Sequence, residues 1–171
     1  DSRDAKLKLA AVIEAINIKI IEKLREEMSG IYGGGLSGSI QKRPYVHYTV
    51  SASIPCGPEN VAKLTDSLFA IIKTIQEKGV EQKDLDKVKE TWKKQYHVGL
   101  QSNDYWMNSL SMGWINRENP ENILDFEEKV DALTIVDLRD AARKFLPLDK
   151  VVKAVLYPEN AKIPDEPKKA F

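Results

Sequence analysis

In Leu24-Arg25-Glu26-Glu27-Met28-Ser29-Gly30-Ile31-Tyr32 an apolar helix ends and a glycine-rich strand begins. Arg25 lies in the last predicted helical turn, and Gly30 is a typical helix stop. The Arg25 guanidinium is a planar fork of N–H donors and Tyr32 carries a phenolic O–H, a combination that can hold a carbonyl group while negative charge develops on its oxygen. We therefore predict a partial active site at this corner, with Arg25 and Tyr32 as its catalytic residues.

Both residues also have an ordinary structural explanation. A cation at a helix C-terminus complements the helix dipole, and tyrosine is common in strands. The group that would complete an active site is not visible in the sequence. His47 and His97 lie far apart and neither has the partner at i+4 that a helical zinc site requires, so we predict no metal site in this chain. Cys56 follows an apolar strand without a nearby base, which favours a semi-buried thiol over a nucleophile.

Three consecutive glycines, Gly33, Gly34 and Gly35, follow the corner. A phosphate cradle would need a strand before it and a helix after it, and here the order is reversed. Close backbone approach, by a neighbouring strand or by an extended peptide, is favoured instead. We assign the three glycines to substrate binding on this basis.

Hydrophobic spacing and turn residues predict the other elements. The helices are expected at Ala5–Ser29, from Pro58 to Lys78, from Asp84 to Leu100 with a continuation beyond Ser102-Asn103, over Ile123–Val130, and from a Thr134–Asp137 capping box to Phe145; the strands at Ile31–Gln41, Tyr45–Ile54 and Val151–Leu156. Strands grouped early and helices later predict an α+β fold, an antiparallel sheet with helices packed on one face. We expect one domain over residues 1–157 and a mobile tail over residues 158–171.

Composition excludes two classes of partner. The 171 residues contain 26 Lys and Arg against 26 Asp and Glu, so the formal net charge is zero. Without a basic excess, the chain has no general electrostatic attraction for nucleic acid or an anionic membrane, and we predict neither partner.

Four further motifs accompany the Leu-Arg-Glu-Glu-x-x-Gly-x-Tyr corner. They are Cys56-Gly57-Pro58-Glu59-Asn60-Val61, the helix start between Gly79 and Lys89, Asn103-Asp104-Tyr105-Trp106, and Leu133-Thr134-Ile135-Val136-Asp137-Leu138. In this order the five motifs resemble the C-terminal half of the pitrilysin/insulysin-type zinc metallopeptidases, whose zinc motif is His-x-x-Glu-His, and especially the bacterial kind related to the coenzyme PQQ locus protease. The resemblance covers roughly Leu7 to Glu159.

This resemblance implies a fold and a role. Such proteins build four related units into two halves around a chamber; the zinc lies in the first unit, and an Arg and a Tyr matching Arg25 and Tyr32 come from the fourth. Further sheet strands precede the helix that opens this chain. The implied function is a non-zinc-binding C-terminal domain that binds peptide and stabilises the oxyanion, with zinc bound by another domain, the N-terminal catalytic half or a partner subunit as its partner, and a periplasmic or otherwise exported location.

Two alternatives remain open. The same fold also supplies non-catalytic structural subunits and processing-peptidase partners. A peptide-binding module that captures extended chains by strand addition is the other alternative.

Overall fold

The computed structural model describes residues 2–27, 31 and 33–160. In these ranges it contains six α-helices and one two-stranded sheet, which confirms the α+β prediction: α1 (Ser2–Ile20), β1 (Gly35–Gln41), β2 (His47–Ser53), α2 (Val61–Lys78), α3 (Gln82–Gly99), α4 (Asn103–Asn116), α5 (Phe126–Asp131) and α6 (Ile135–Phe145). A π-helical segment, Ile21–Glu27, continues α1. Turns of 3₁₀ helix, Pro58–Asn60 and Pro120–Ile123, precede α2 and α5.

The centre of the fold is α1, which packs against β1, α2, α3 and α6. Its apolar residues recur at three- and four-residue steps and form a stripe that is at most 1% exposed: Leu9, Val12, Ile16, Ile20 and Leu24. The predicted helix thus extends through Glu27, with a change to π-helical geometry after Ile20. Met28, Ser29 and Gly30, where we predicted its end, lie outside the described residues.

The hairpin is shorter and more exposed than the sequence predicts. β1 and β2 pair antiparallel from Gly35 opposite Ser53 to Gln41 opposite His47. Val50 of β2 packs against the core, but Val46 is 74% exposed and Tyr48 44% exposed. Much of β2 is uncovered because α1 packs mainly under β1.

Local signals define the helix boundaries well. Gly79 ends α2 with φ +82, and a Cβ there would lie 2.4 Å from Ile135 Cγ2, so glycine permits both the turn and the close approach of α6. The predicted capping box is present: Asp137 Oδ2 accepts from the Thr134 N–H at 3.0 Å, and Thr134 Oγ1 accepts from the Asp137 N–H at 3.1 Å. These contacts place α6 against α1 and α2.

The predicted final strand is wrong. Val151–Leu156 forms neither helix nor strand, and the described sheet contains β1 and β2 only. Side-chain burial still alternates along this segment, with Val152 96% and Leu156 99% exposed. The alternation of side chains is therefore that of a strand, but a strand also needs a neighbouring strand as the partner of its backbone hydrogen bonds. The division into a domain over residues 1–157 and a tail over 158–171 stays a prediction, and residues 161–171 lie outside the described part of the chain.

Replacing Ile20 with Ala should lower the free energy of unfolding by about 2–5 kcal/mol, because a fully buried side chain would leave a cavity beside α1. Ile21→Ala is the matched control: Ile21 is 44% exposed, so its loss should cost less than about 1 kcal/mol. Urea unfolding of both variants measures the difference. Equal costs would show that the buried face of α1 is assigned incorrectly.

Candidate functional site

The predicted catalytic corner is described only in part. Arg25 belongs to the π-helical segment Ile21–Glu27, but its side chain lies outside the described residues, as does the whole of Tyr32. Between them, Ile31 is 5% exposed and belongs to the hydrophobic core. The catalytic assignment of Arg25 and Tyr32 therefore stays a prediction. The π-helical geometry was not predicted; such departures from the α-helix occur frequently at functional sites.

The glycine run has structural reasons of its own at two of its three positions. Gly34 has φ +96, and a Cβ there would lie 2.2 Å from the Ser53 carbonyl oxygen, so the chain leaving β2 approaches its backbone closely. A Cβ at Gly35 would lie 2.7 Å from Asn17 Oδ1. At Gly33 a Cβ would meet no described atom within 4 Å, so Gly33 has space beside it. Close approach by a neighbouring strand is thus confirmed at Gly34, and substrate binding by the run stays a prediction.

Asn17 fixes the start of β1 against α1, a role that was not predicted from the sequence. Its Oδ1 accepts from the Leu36 N–H at 2.7 Å, and its Nδ2 donates to the Leu36 carbonyl at 2.9 Å. A side-chain amide thereby makes both hydrogen bonds that a neighbouring strand would make with one residue. The sequence does contain a signal for this role: Asn17 is an isolated polar residue on the edge of the apolar stripe of α1.

Lys19, at the last turn of α1, lies among three carboxylates. Its Nζ is 2.5 Å from Glu81 Oε1, 3.0 Å from Asp84 Oδ2 and 3.1 Å from Glu22 Oε2. Glu22 is in the π-helical segment, Glu81 immediately precedes α3, and Asp84 is in the first turn of α3. This Lys19 cluster (Lys19, Glu22, Glu81 and Asp84) therefore joins the segment that carries Arg25 to the start of α3.

Charge pairing dominates the protonation of this cluster. Partial burial acts to lower the pKa of Lys19, but hydrogen bonds to Glu81 and Glu22 and the ion pair with Asp84 outweigh it and hold that pKa well above its usual value. Hydrogen bonds from Lys19 and then Lys83 lower the pKa of Glu81 to about 2. The hydrogen bond from Lys19 also lowers the pKa of Glu22. Lys19, Glu22 and Glu81 are therefore ionised near neutral pH.

The remaining nucleophile and metal candidates do not form a catalytic site. Burial, and then the charge of Glu59, raises the pKa of the half-buried Cys56 thiol, which disfavours the reactive thiolate. His47 Nδ1 lies 2.9 Å from the Tyr45 carbonyl oxygen, and His97 Nε2 lies 3.3 Å from a Glu127 carboxylate oxygen. Among the described residues no three His, Cys, Asp or Glu side chains are grouped as a metal ion requires, so these residues do not fit a zinc ion.

Aromatic residues of α3, α4 and α5 pack on one another around an open cavity of about 440 Å³. Tyr96 contacts Phe126 with ring centroids 5.2 Å apart and Tyr105 at 6.4 Å. Trp106 donates its Nε1–H to the Leu100 carbonyl at 2.9 Å, whereas Trp114 is 86% exposed. Packing within the fold therefore accounts for Tyr96, Tyr105 and Trp106, whereas Trp114 is uncovered.

The helix α4 has an exposed apolar side. None of its residues is buried, and Met107, Leu110 and Trp114 recur at steps of three and four, which places them on one side of the helix. The hairpin turn is fixed beside the end of α4: Arg43 Nη2 donates to the Ile115 carbonyl at 2.7 Å, and Lys42 Nζ lies 2.6 Å from Glu118 Oε1. We call Met107, Leu110 and Trp114 the α4 face.

Comparison with known proteins shows which protein family this chain resembles. Residues 8–91 match the family model described as the peptidase M16 inactive domain. A zinc protease PQQL-like protein of Arabidopsis thaliana is 29% identical over 107 residues, which are 60% of this chain and 11% of that protein. The resemblance to the pitrilysin/insulysin-type metallopeptidases is thereby confirmed at the level of this match: residues 8–91 are similar to the peptidase M16 inactive domain.

Solved structures share the fold. The periplasmic protease PqqL from Escherichia coli superposes with a TM-score of 0.64 at 18% identity, over 82% of this chain and 16% of that one. A peptidase M16 inactive domain from Pseudomonas fluorescens gives a TM-score of 0.67 at 17% identity, over 82% of this chain and 35% of that one. The chain thus spans about a tenth to a third of the length of these relatives. None of its described helices is long and apolar enough to cross a membrane.

The stabilising effect of the Lys19 cluster should depend on pH. Because the pKa of Glu81 and that of Glu22 are lowered on folding, their contribution is present above the ordinary glutamate value of 4.5 and is lost as the pH falls toward about 2. Because the pKa of Lys19 is raised, its contribution is lost only in strong base. The difference in unfolding free energy between the wild type and Lys19→Met should therefore shrink as the pH falls through this acid range.

Urea unfolding at a series of pH values measures this difference. Lys73→Met is the control, because Lys73 is exposed on α2 and away from the cluster. A Lys19→Met difference that stays constant down to about pH 2 would contradict the pairing.

Proposed function

We propose that this chain is the non-zinc-binding C-terminal unit of a zinc metalloendopeptidase, in which it binds peptide and stabilises the oxyanion of the reaction. One observation carries the proposal: the match to the M16 inactive domain over residues 8–91 includes the corner with Arg25 and Tyr32. The unit on its own is inactive, because its described residues offer neither a zinc site nor an activated nucleophile.

In this role Arg25 and Tyr32 act on the substrate carbonyl. The guanidinium supplies a fixed pair of charged donors and the phenol supplies one neutral O–H, so both strengthen their hydrogen bonds as the carbonyl oxygen becomes negative. Donors placed before the reaction lower the barrier without the cost of reorganising water. Gly33, which has free space beside it, is the position of the glycine run best suited to an extended peptide.

Zinc would be held by another domain of the complete protein, where it supplies an activated water molecule for hydrolysis. This assignment follows from the zinc protease relative and from the absence of a fitting ligand group among the described residues of this chain. The chemistry that this chain contributes is therefore hydrogen bonding to the substrate.

The partner proposed for this unit is the N-terminal catalytic half, and the α4 face is its docking surface. A 14-residue helix without buried side chains gains little stability from its own hydrogen bonds, so α4 needs a covering surface. Met107, Leu110 and Trp114 are 69%, 44% and 86% exposed. The part of PqqL that matches this chain is only 16% of PqqL. The rest of such a protein is long enough to cover the α4 face.

Two alternatives have some support. The description of the matched family as inactive favours a structural or processing-partner paralogue. The described sheet has only two strands, so its outer edges would also suit a module that binds extended peptides by strand addition. A periplasmic location is proposed from PqqL, which is a periplasmic protease.

Tyr32→Phe in the complete protease should lower kcat by roughly 10²–10³ with little change in KM, because it removes one oxyanion donor and almost no volume. Arg25→Lys should also lower kcat, since an ammonium cannot reproduce the planar fork. Steady-state hydrolysis of a fluorogenic peptide measures both constants. Tyr45→Phe, at the exposed hairpin turn, is the matched control. Full turnover of Tyr32→Phe would favour the structural paralogue instead.

Trp114→Glu should weaken binding of this chain to the catalytic half at least about tenfold, because a large exposed aromatic residue at the centre of a docking surface is a typical binding hot spot. Isothermal titration calorimetry measures the dissociation constant. Val136→Glu is the control, since Val136 is also apolar and 52% exposed but lies on α6. Equal affinities for the two variants would show that the α4 face is not part of the interface.

A further inference from the structure

We propose that Lys19 is a positioning residue for Arg25: by joining Glu22 to Asp84 and Glu81, it fixes the π-helical segment Ile21–Glu27 on the start of α3 and so holds the backbone that carries Arg25. The inference rests on the proposed role of Arg25 in oxyanion stabilisation.

The contacts of Lys19 lie at the junction between α1 and the π-helical segment. Lys19 is on the last turn of α1, and the π-helical segment begins two residues later, at Ile21. Glu22, whose Oε2 is 3.1 Å from Lys19 Nζ, is in the first turn of that segment and three residues before Arg25. A second cation, Lys87 of α3, lies 3.7 Å from the other Glu22 oxygen. The segment is therefore attached to α3 from its first turn.

Burial makes the attachment to Asp84 strong. Asp84 is 0% exposed, and among the described residues neither of its carboxylate oxygens has a hydrogen-bond partner, so the ion pair with Lys19 is the described contact that compensates its buried charge. Lys19 is itself only 17% exposed. Breaking a buried ion pair by removing one partner leaves an uncompensated charge, which is far costlier than losing a surface pair. Lys19 therefore cannot leave Asp84 without disturbing the helix junction.

The backbone geometry of the segment links these contacts to Arg25. A π-helix contains more residues per turn than an α-helix, so a change from one to the other rotates every later side chain about the helix axis. The change from α-helical to π-helical geometry falls between Lys19 and Glu22. The contacts of these two side chains therefore fix the backbone on both sides of the change. Loss of the Lys19 contacts would allow the segment to return to α-helical geometry and would shift the backbone that carries Arg25.

Hydrogen exchange in this chain provides the first test. In Lys19→Met, the backbone amides of residues 22–27 should exchange at least about tenfold faster, while those of α6 stay unchanged, because only the local attachment is lost. Lys8→Met is the matched control: Lys8 also lies on α1 and pairs with two carboxylates, Asp4 at 3.1 Å and Asp137 at 2.8 Å, but at the opposite end of the helix. Asp84→Asn, which keeps the side-chain shape, is a second variant should Lys19→Met not fold, and it should loosen the same amides.

A double-mutant cycle in the complete protease separates positioning from a general structural role. As a single substitution, Lys19→Met should lower kcat about 10²-fold, since a small displacement of a catalytic group has effects of this size. In an Arg25→Ala background it should lower kcat less than about threefold, because the residue through which Lys19 acts is already gone. Lys19→Arg, which retains the charge, should recover most of the turnover.

The outcomes are distinct. Equal kcat losses from Lys19→Met in both backgrounds, or a uniform increase in exchange over α1, α3 and α6, would overturn the positioning role. If Arg25→Ala retains full turnover, the proposed catalytic function fails, and local loosening in Lys19→Met would still establish that the cluster holds the segment.

Discussion

The burial of α1 is the constraint on which the rest of the structure depends. Its apolar stripe from Leu9 to Leu24 is almost inaccessible to solvent, and the hairpin, α2, α3 and α6 all pack around it. Burial of an aliphatic side chain contributes about 1.5–3 kcal/mol, so a stripe of this length outweighs any single polar contact in the fold. Because α1 leads into the segment that carries Arg25, the same burial fixes the position at which that segment begins.

Polar contacts at the edges of α1 fix how the neighbouring elements are positioned along this helix. Asn17 holds the start of β1 through the Leu36 backbone, and Lys19 joins the end of α1 to α3. Arg3 makes an ion pair with Asp125 at the other end of the helix. Apolar packing alone would allow the surrounding elements to slide along α1, whereas these directional bonds set their register.

The elements that could be predicted from sequence are those specified by neighbouring residues. Gly79 and the Thr134–Asp137 capping box end and begin helices by local geometry, and both were predicted correctly. The Val151–Leu156 strand was not, because its side-chain period is local but its pairing depends on another strand. The same reason explains why the Lys19–Asp84 pair was missed: no sequence period connects residues of α1 and α3 that meet only after folding. The family motifs located Arg25 and Tyr32, and their geometry stays a prediction.

The central claim is that this chain has no peptidase activity by itself and completes an active site when joined to a catalytic half. Reconstitution tests this most directly: peptide hydrolysis is measured for this chain, for the proposed catalytic half, and for an equimolar mixture. We expect only the mixture to hydrolyse the peptide at an appreciable rate. Hydrolysis by this chain alone, or a rate for the catalytic half that does not change when this chain is added, would contradict the claim.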